Sequence, residues 1–251
     1  MNTPRLATWL QMADSATIEA LSFLGIQDFV IDMEHSALTK TDLVNLLRTT
    51  PNHEQDITKL VRVSANSMMA IRQPLDLGAE GIIVPMVNNE EEAKRAVGWA
   101  MYPPNGIRGT SYCRMNDWGA HFDFYQKSAD YLPKFVMIET KEGLENVEKI
   151  VAVPFVDGVI VGHYDLSSFL GCPGNFAEQS MIDAETRIVE ACLSREKVAG
   201  ALVFVPSQEA FARLVERGFN WISIGSDLMF MRSAAELFFG EAHEYIYRKR
   251  D

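Results

Sequence analysis

The chain has 251 residues, 47% of them hydrophobic, and a formal net charge of −11. That length and apolar content suit one α/β barrel or two small domains. The charge argues against nucleic acid or an anionic membrane as partner, and it leaves any anionic substrate dependent on local cations. Three cysteines, an odd number without metal-binding spacing, read as reduced thiols of a cytoplasmic protein. The opening MNTPRLATWLQM lacks a basic stretch followed by an apolar core, so no signal peptide is expected. No apolar run approaches the ~20 residues needed to span a bilayer.

In chain order, LATWLQM (6–12) reads as a first strand, and Ser15 caps the helix TIEALSFLG, which Gly25 stops. FVIDME (29–34) is the second strand, and Thr39 with Asp42 opens the next helix in a cap-like start. ITKLVRVS (57–64) is the third strand, followed by a helix over 68–77 that Gly78 ends. GIIVPMV (81–87) is the fourth, followed by NEEEAKRAVGWAM, whose acidic first turn complements the helix dipole. One long irregular segment, 102–119, precedes the short helix HFDFYQKSADYL. Irregular segments of that length in compact domains are usually functional or disordered.

FVMIET (135–140) is the fifth strand, KEGLENVEKIVAVPF one amphipathic helix, and VDGVIVGHYDLSS (156–168) carries the sixth strand. A Gly/Pro-containing loop over 169–179 leads to a helix that Ser180 starts. GALVF (200–204), the helix SQEAFARLVERG, WISIG (221–225) and a long helical stretch over 227–250 complete the chain. Eight strands each followed by a helix, with no composition break, predict a single (β/α)8 barrel over 1–251. A doubly wound open sheet is the alternative, weakened by the lack of G-x-G-x-x-G after the first strand.

In such a barrel the C-terminal ends of the strands build the site. They carry Asp32, Glu34 and His35, then Arg62, then Glu139, then His163, Tyr164 and Asp165. Glu139 and Asp165 end neighbouring strands, and two convergent carboxylates without a Cys or His cluster suit a hard divalent cation. Helix-capping carboxylates are the plainer reading of the same two residues. His35 could equally be a buried histidine, Arg62 a structural ion pair, and Arg108 a brace for the long loop. The apolar residues of the last helix (Phe230, Met231, Phe238, Phe239, Tyr245, Tyr247) read as a subunit interface.

DMEH (32–35), LVRV (60–63), LDLGAEGIIVPMV (75–87), YPPNGIRG (102–109), IET (138–140) and the G-x-x-DLS of 162–167 occur in one order. In this register, from about 8 to about 235, the chain resembles the HpcH/HpaI aldolase family, metal-dependent class II aldolases acting on 2-oxo acids. The resemblance implies a TIM barrel, a homo-oligomer (trimer or hexamer), and a last helix, 227–250, packed on a neighbouring subunit. It implies that Glu139 and Asp165 are ligands of a divalent cation (Mg²⁺, Mn²⁺ or Co²⁺). His35 matches the catalytic base, and Asp32 and Asp76 match acids that orient it or raise its basicity. Arg62 matches the cation that stabilises the enolate.

The implied reaction cleaves a 4-hydroxy-2-oxo acid to pyruvate, or a related 2-oxo acid, and an aldehyde. A Schiff-base route would need a lysine inside the barrel. Strands six to eight have none, and Lys59 and Lys134 lie near strand starts, away from the site. Two departures bear on substrate choice. Met137 stands where the family often has a substrate-contacting Gln, and G-H-Y-D replaces G-P-A-D. Tyr164 keeps the backbone N–H that the resemblance assigns to the substrate carboxylate. A Claisen-type synthase or lyase using oxaloacetate or an acyl-CoA, and a non-catalytic barrel that binds a 2-oxo acid, are the competing readings. A CoA user should carry a basic cluster at the barrel mouth, and the sequence shows none there.

Overall fold

The computed structural model describes residues 3–49 and 57–247. The strands are β1 Arg5–Leu10, β2 Asp28–Asp32, β3 Thr58–Arg62, β4 Gly81–Val84, β5 Lys134–Ile138, β6 Gly158–Val161, β7 Val198–Val203 and β8 Trp221–Ser226. Each pairs in parallel with its sequence neighbours, and β8 closes on β1. Helices between consecutive strands make this possible, because a parallel partner needs a crossover connection. They are α1 Ser15–Ser22, α2 Lys40–Arg48, α3 Met68–Asp76, α4 Glu90–Ala100, α5 Phe122–Ser128, α6 Lys141–Glu145, α7 Val147–Ala152, α8 His163–Phe169, α9 Gln179–Leu193, α10 Gln208–Arg217 and α11 Asp227–Tyr247.

The strands alternate faces. Ala7, Trp9, Val30, Leu60, Ile83, Phe135, Met137, Ile160 and Trp221 form one buried cluster inside the barrel. Their sequence neighbours Phe29, Ile31, Val61, Ile82, Val136 and Val159 join the larger core between strands and helices. Both faces are apolar, which explains the continuous hydrophobic runs. Gly200 makes room for the large ring of Trp221: a Cβ there would lie 2.2 Å from Ile160 Cδ1 and 3.0 Å from Trp221 Cε3.

The barrel bottom is fastened by a repeated clasp. The residue just before each even strand accepts an N–H near the start of the preceding odd strand. Gln27 takes Leu6 N–H at 3.0 Å, Glu80 takes Lys59 N–H at 2.6 Å, Asp157 takes Lys134 N–H at 2.8 Å, and Asn220 takes Ala199 N–H at 2.9 Å. The lysines at this end donate to carbonyls left open where helices and turns end. Lys59 Nζ reaches Leu47 O and Thr49 O, both at 2.9 Å, at the C-terminal end of α2. Lys134 Nζ donates to Ala129 O, Asp130 O and Leu132 O. Both amines lie at the end of the barrel opposite Glu139 and Asp165.

Local details differ from the sequence expectation. Asp14, not Ser15, caps α1: it is the residue with extended backbone ahead of the helix, and its carboxylate accepts the Ala16 N–H at 2.9 Å. Thr39 and Asp42 form the expected reciprocal capping box. The single helix expected after β5 is two, α6 and α7, broken at Asn146. The turn after β6 goes directly into α8, and a 3-10 segment, Arg114–Gly119, interrupts the long irregular stretch. The last helix is described to Tyr247; 248–250 of the expected stretch lie outside the described residues.

Candidate active site

Asp32 ends β2 and Arg62 ends β3, and the two are register partners on the inward face. Asp32 is wholly buried. Its Oδ1 accepts Arg62 Nε at 2.9 Å and its Oδ2 accepts Nη2 at 2.7 Å, a bidentate pair. Oδ1 also accepts the backbone N–H groups of Glu34 and His35 at 3.1 and 3.2 Å, which folds the D-M-E-H turn back over the strand. Burial pushes the Asp32 carboxyl up, but the Arg62 hydrogen bonds and charge and the two amides outweigh it and hold the group below its ordinary value. The Arg62 guanidinium lies 4.4 Å over the Trp9 ring, and its Nη1 stands 3.4 Å from Glu34 Oε2. Arg62 is thereby fixed from three sides.

Glu139 follows β5 and is 4% exposed. Its Oε2 accepts the Met86 N–H at 2.6 Å, and Met86 adopts a left-handed φ of 55° to present that bond. The carboxylate lies flat against Gly162, where a Cβ would come within 2.4 Å of Glu139 Cγ and 2.7 Å of Oε1. Burial pushes the Glu139 carboxyl up to about 7, against the Met86 hydrogen bond; the negative charges of Glu34 and Asp165 add to the rise and Arg62 opposes it. Glu34 is raised too, chiefly by burial, with Asp32 and Asp165 contributing. Asp165 lies in the first turn of α8. The first intrahelical bond there runs from Leu166 N–H to Gly162 O at 2.9 Å, so the amides of His163, Tyr164 and Asp165 precede the helical ladder.

These groups share one cavity of about 350 Å³ at the C-terminal end of the strands. Asp32, His35, Arg62, Met137, Glu139, Tyr164 and Asp165 all line it. Asp76 does not. It is held by Arg108, whose Nη2 lies 2.7 Å from Oδ1, and by Arg72 at 3.8 Å. Within one chain Asp76 sits at the end of α3, away from His35 and engaged by Arg108 of the long loop. Arg108 is buried and stacks 4.7 Å over Tyr102.

Asp32 orients His35 through its backbone only. The nearest acid to the imidazole is Glu34, with Nε2–Oε2 at 3.6 Å, beyond hydrogen-bond range. The His35 side chain is 64% exposed and faces the mouth. His163 is structural: its ring is buried, with Nδ1 3.1 Å from Val161 O and Nε2 3.1 Å from Glu185 Oε1, and burial pushes it down to about 4. Two contributors escaped the sequence reading: Gln11 donates to Asp32 at 3.3 Å and Trp9 floors Arg62. Only Trp9 left a signal, a large aromatic at an inward position of β1. Met86, at the C-terminal edge after the fourth strand, holds Glu139 through a backbone group.

Among the described residues no three His, Cys, Asp or Glu gather tightly enough to cage a metal ion. A two-carboxylate set fits a Mg²⁺-type cation, which keeps most of its positions for water and substrate. The donor chemistry fits as well, since Glu139, Asp165 and Glu34 leave more negative charge than Arg62 can balance.

A closed parallel barrel with acids and a fixed guanidinium at its C-terminal mouth is the architecture of a (β/α)8 enzyme. The chain belongs to the HpcH/HpaI aldolase/citrate lyase family, whose model matches residues 5–234. It is similar to the 4-hydroxy-2-oxo-heptane-1,7-dioate aldolase of Escherichia coli, 33% identical over 236 residues, 93% of this chain and 88% of the relative. It is also 33% identical to the 5-keto-4-deoxy-D-glucarate aldolase of Klebsiella pneumoniae, over 92% of this chain and 90% of that one. A crystal structure of a family protein from Burkholderia cenocepacia J2315 superposes with a TM-score of 0.89 at 26% identity, covering 96% of this chain and 95% of the other. The chain is a class II aldolase, a carbon–carbon lyase of a divalent-metal-dependent family.

Proposed function

We propose that the enzyme cleaves a 4-hydroxy-2-oxo acid to pyruvate, or a closely related 2-oxo acid, and an aldehyde. Glu139 and Asp165 would hold the divalent cation, Mg²⁺, Mn²⁺ or Co²⁺. The observation that carries this reading is the convergence of both carboxylates and Arg62 on one cavity, with Glu139 pushed up to about 7. When bound, the cation supplies Lewis-acid polarisation of the 2-oxo group. Arg62, locked by Asp32 and Trp9, places fixed positive charge where the enolate oxygen develops and needs no reorganisation during the reaction. The Tyr164 N–H, ahead of the first intrahelical bond of α8, would donate to the substrate carboxylate. His35 takes the proton of the 4-hydroxyl, the C3–C4 bond breaks, the aldehyde departs, and C3 of the pyruvate enolate regains a proton.

The test is pyruvate release from a panel of 4-hydroxy-2-oxo acids with Mg²⁺, Mn²⁺, Co²⁺ or chelator. Metal-dependent release that His35→Gln abolishes supports the assignment. Tight pyruvate binding without turnover on any metal would replace it with a binding role. The lining carries no basic cluster for a nucleotide diphosphate, so an acyl-CoA donor finds no support among the described residues. We further place the enzyme in the cytoplasm, on the strength of Cys113, Cys172 and Cys192 remaining thiols, as a single-domain homo-oligomer. Its contacts with the barrel concentrate at β1 and β8, so α11 presents Met231, Leu237, Phe238, Phe239 and Ile246 outward, a surface suited to a neighbouring subunit. Light scattering of the full chain tests this; a monomer would refute it.

A further inference from the structure

The cavity has two poles. One is ionic: Asp32, Arg62, Glu139 and Asp165. The other is hydrocarbon and aromatic: Met137, Tyr164, Leu202, Val203, Phe204 and Met229. The rings of the second pole belong to one cluster. Tyr164 and Phe204 meet edge-on with centroids 4.5 Å apart, and Phe176 stands behind both, 5.1 Å from Tyr164 and 6.1 Å from Phe204. Three separate segments supply them: the first turn of α8, the loop before α9, and the residue just after β7. Phe176 also packs edge-on against the buried His163 ring at 5.6 Å, so the cluster is anchored to the barrel wall. Tyr164 remains 52% exposed, and an uncovered aromatic surface therefore faces the mouth one residue from Asp165.

The charge pattern is as one-sided as the packing. Arg62 is the only Lys or Arg among the described residues lining the cavity; Asp32 holds its Nε and Nη2, and its Nη1 stands 3.4 Å from Glu34 Oε2. Asp32, Glu139 and Asp165 line the same space, and the whole chain carries −11. A second acid group on the departing fragment would meet no cation and would be repelled; an apolar tail would leave water for the ring cluster.

We propose that the juxtaposition of Tyr164, Phe176 and Phe204 beside the carboxylate pole selects an uncharged aromatic or long-chain apolar aldehyde as the fragment joined to, or released from, pyruvate. This rests on the aldolase reading of the same cavity. In the addition direction pyruvate loses a methyl proton, its C3 bonds to the aldehyde carbon, and the aldehyde oxygen takes up the proton, so the step balances without a further reactant.

Two measurements on the metal-loaded wild-type enzyme separate the claims. Exchange of the pyruvate methyl protons in D₂O, followed by NMR, reports enolate formation with no aldehyde present. Loss of exchange would sink the aldolase reading itself. With exchange established, addition rates are compared for benzaldehyde, hexanal and succinic semialdehyde. The expected result is a kcat/KM for benzaldehyde or hexanal at least about tenfold above that for succinic semialdehyde. Phe204→Ser should then cut the benzaldehyde value at least about fivefold, mainly through KM, and change the succinic semialdehyde value less than about twofold. Equal or better use of succinic semialdehyde by the wild type, with exchange intact, overturns the proposal and leaves the aldolase reading standing.

Discussion

Glu139 should make the metal-free enzyme less stable, and replacing it should show this directly. The carboxyl is buried, receives one hydrogen bond from Met86, and faces the charges of Glu34 and Asp165. Its pKa rises from an ordinary 4.5 to about 7. The folded state therefore holds this proton more tightly than the unfolded chain. The penalty on the folded state is complete above pH 7, shrinks as pH falls through the folded pKa, and is gone below 4.5. At roughly 1.36 kcal/mol per pH unit this rise corresponds to about 3 kcal/mol. Glu139→Gln keeps an oxygen for the Met86 N–H and removes the charge. In chelator at pH 8.5 the variant should be about 2–3 kcal/mol more stable than wild type, or roughly 5–10 °C in Tm for a chain of this size. At pH 4.5 the two should converge. Added Mg²⁺ should raise the wild-type Tm and leave the variant unmoved. Equal stabilities at pH 8.5, or a gap unchanged by pH, would refute the account of Glu139 as an uncompensated buried acid.

Metal affinity should share the same titration: below pH 7 it should weaken by about tenfold per pH unit as Glu139 takes up its proton, readable by calorimetric titration between pH 5 and 8. Gly162→Ala puts a methyl within 2.4 Å of Glu139 Cγ and should weaken metal binding by about 10–100-fold, measured by competition with a chelating dye; unchanged affinity would mean the close packing is incidental. Arg62→Lys cannot make the bidentate bond to Asp32 or cover the Trp9 ring. It should lower kcat for pyruvate release by at least about 100-fold. Lys134→Met strands the carbonyls of Ala129, Asp130 and Leu132, and should destabilise by about 2 kcal/mol in urea titration while leaving KM untouched.

Alternating strand and helix periodicity carried the barrel, because each strand is apolar on both faces and each helix on one. Boundaries shifted by a residue or two where capping decided them: Asp14 and Ser15 are both good capping residues, and periodicity does not choose between adjacent ones. The helix α8 was hidden because it is only 7 residues long and follows β6 with a single residue between them. At the site, residues at strand ends were legible by position, and Asp32, His35, Arg62, Glu139, Tyr164 and Asp165 do share one cavity. Pairings between side chains were not legible. Asp32 turned out to clamp Arg62, and Asp76 to hold Arg108, because register and loop geometry set these distances across 30 and 32 residues of sequence. Met86 was legible as a strand-end position but its role was not, since its contribution is a backbone amide and a left-handed turn.

The four bottom clasps give the molecule a division of labour. Each ties a side chain preceding an even strand to the backbone of the strand before it, so closure is secured two strands at a time at the end remote from the chemistry. At the rim the ties between strands are the ionic groups themselves, Asp32 with Arg62 and Glu139 with the Met86 N–H. Positions such as Tyr164 and Phe204 can change identity with little consequence for the architecture, which lets a lineage retune the departing aldehyde without rebuilding its scaffold.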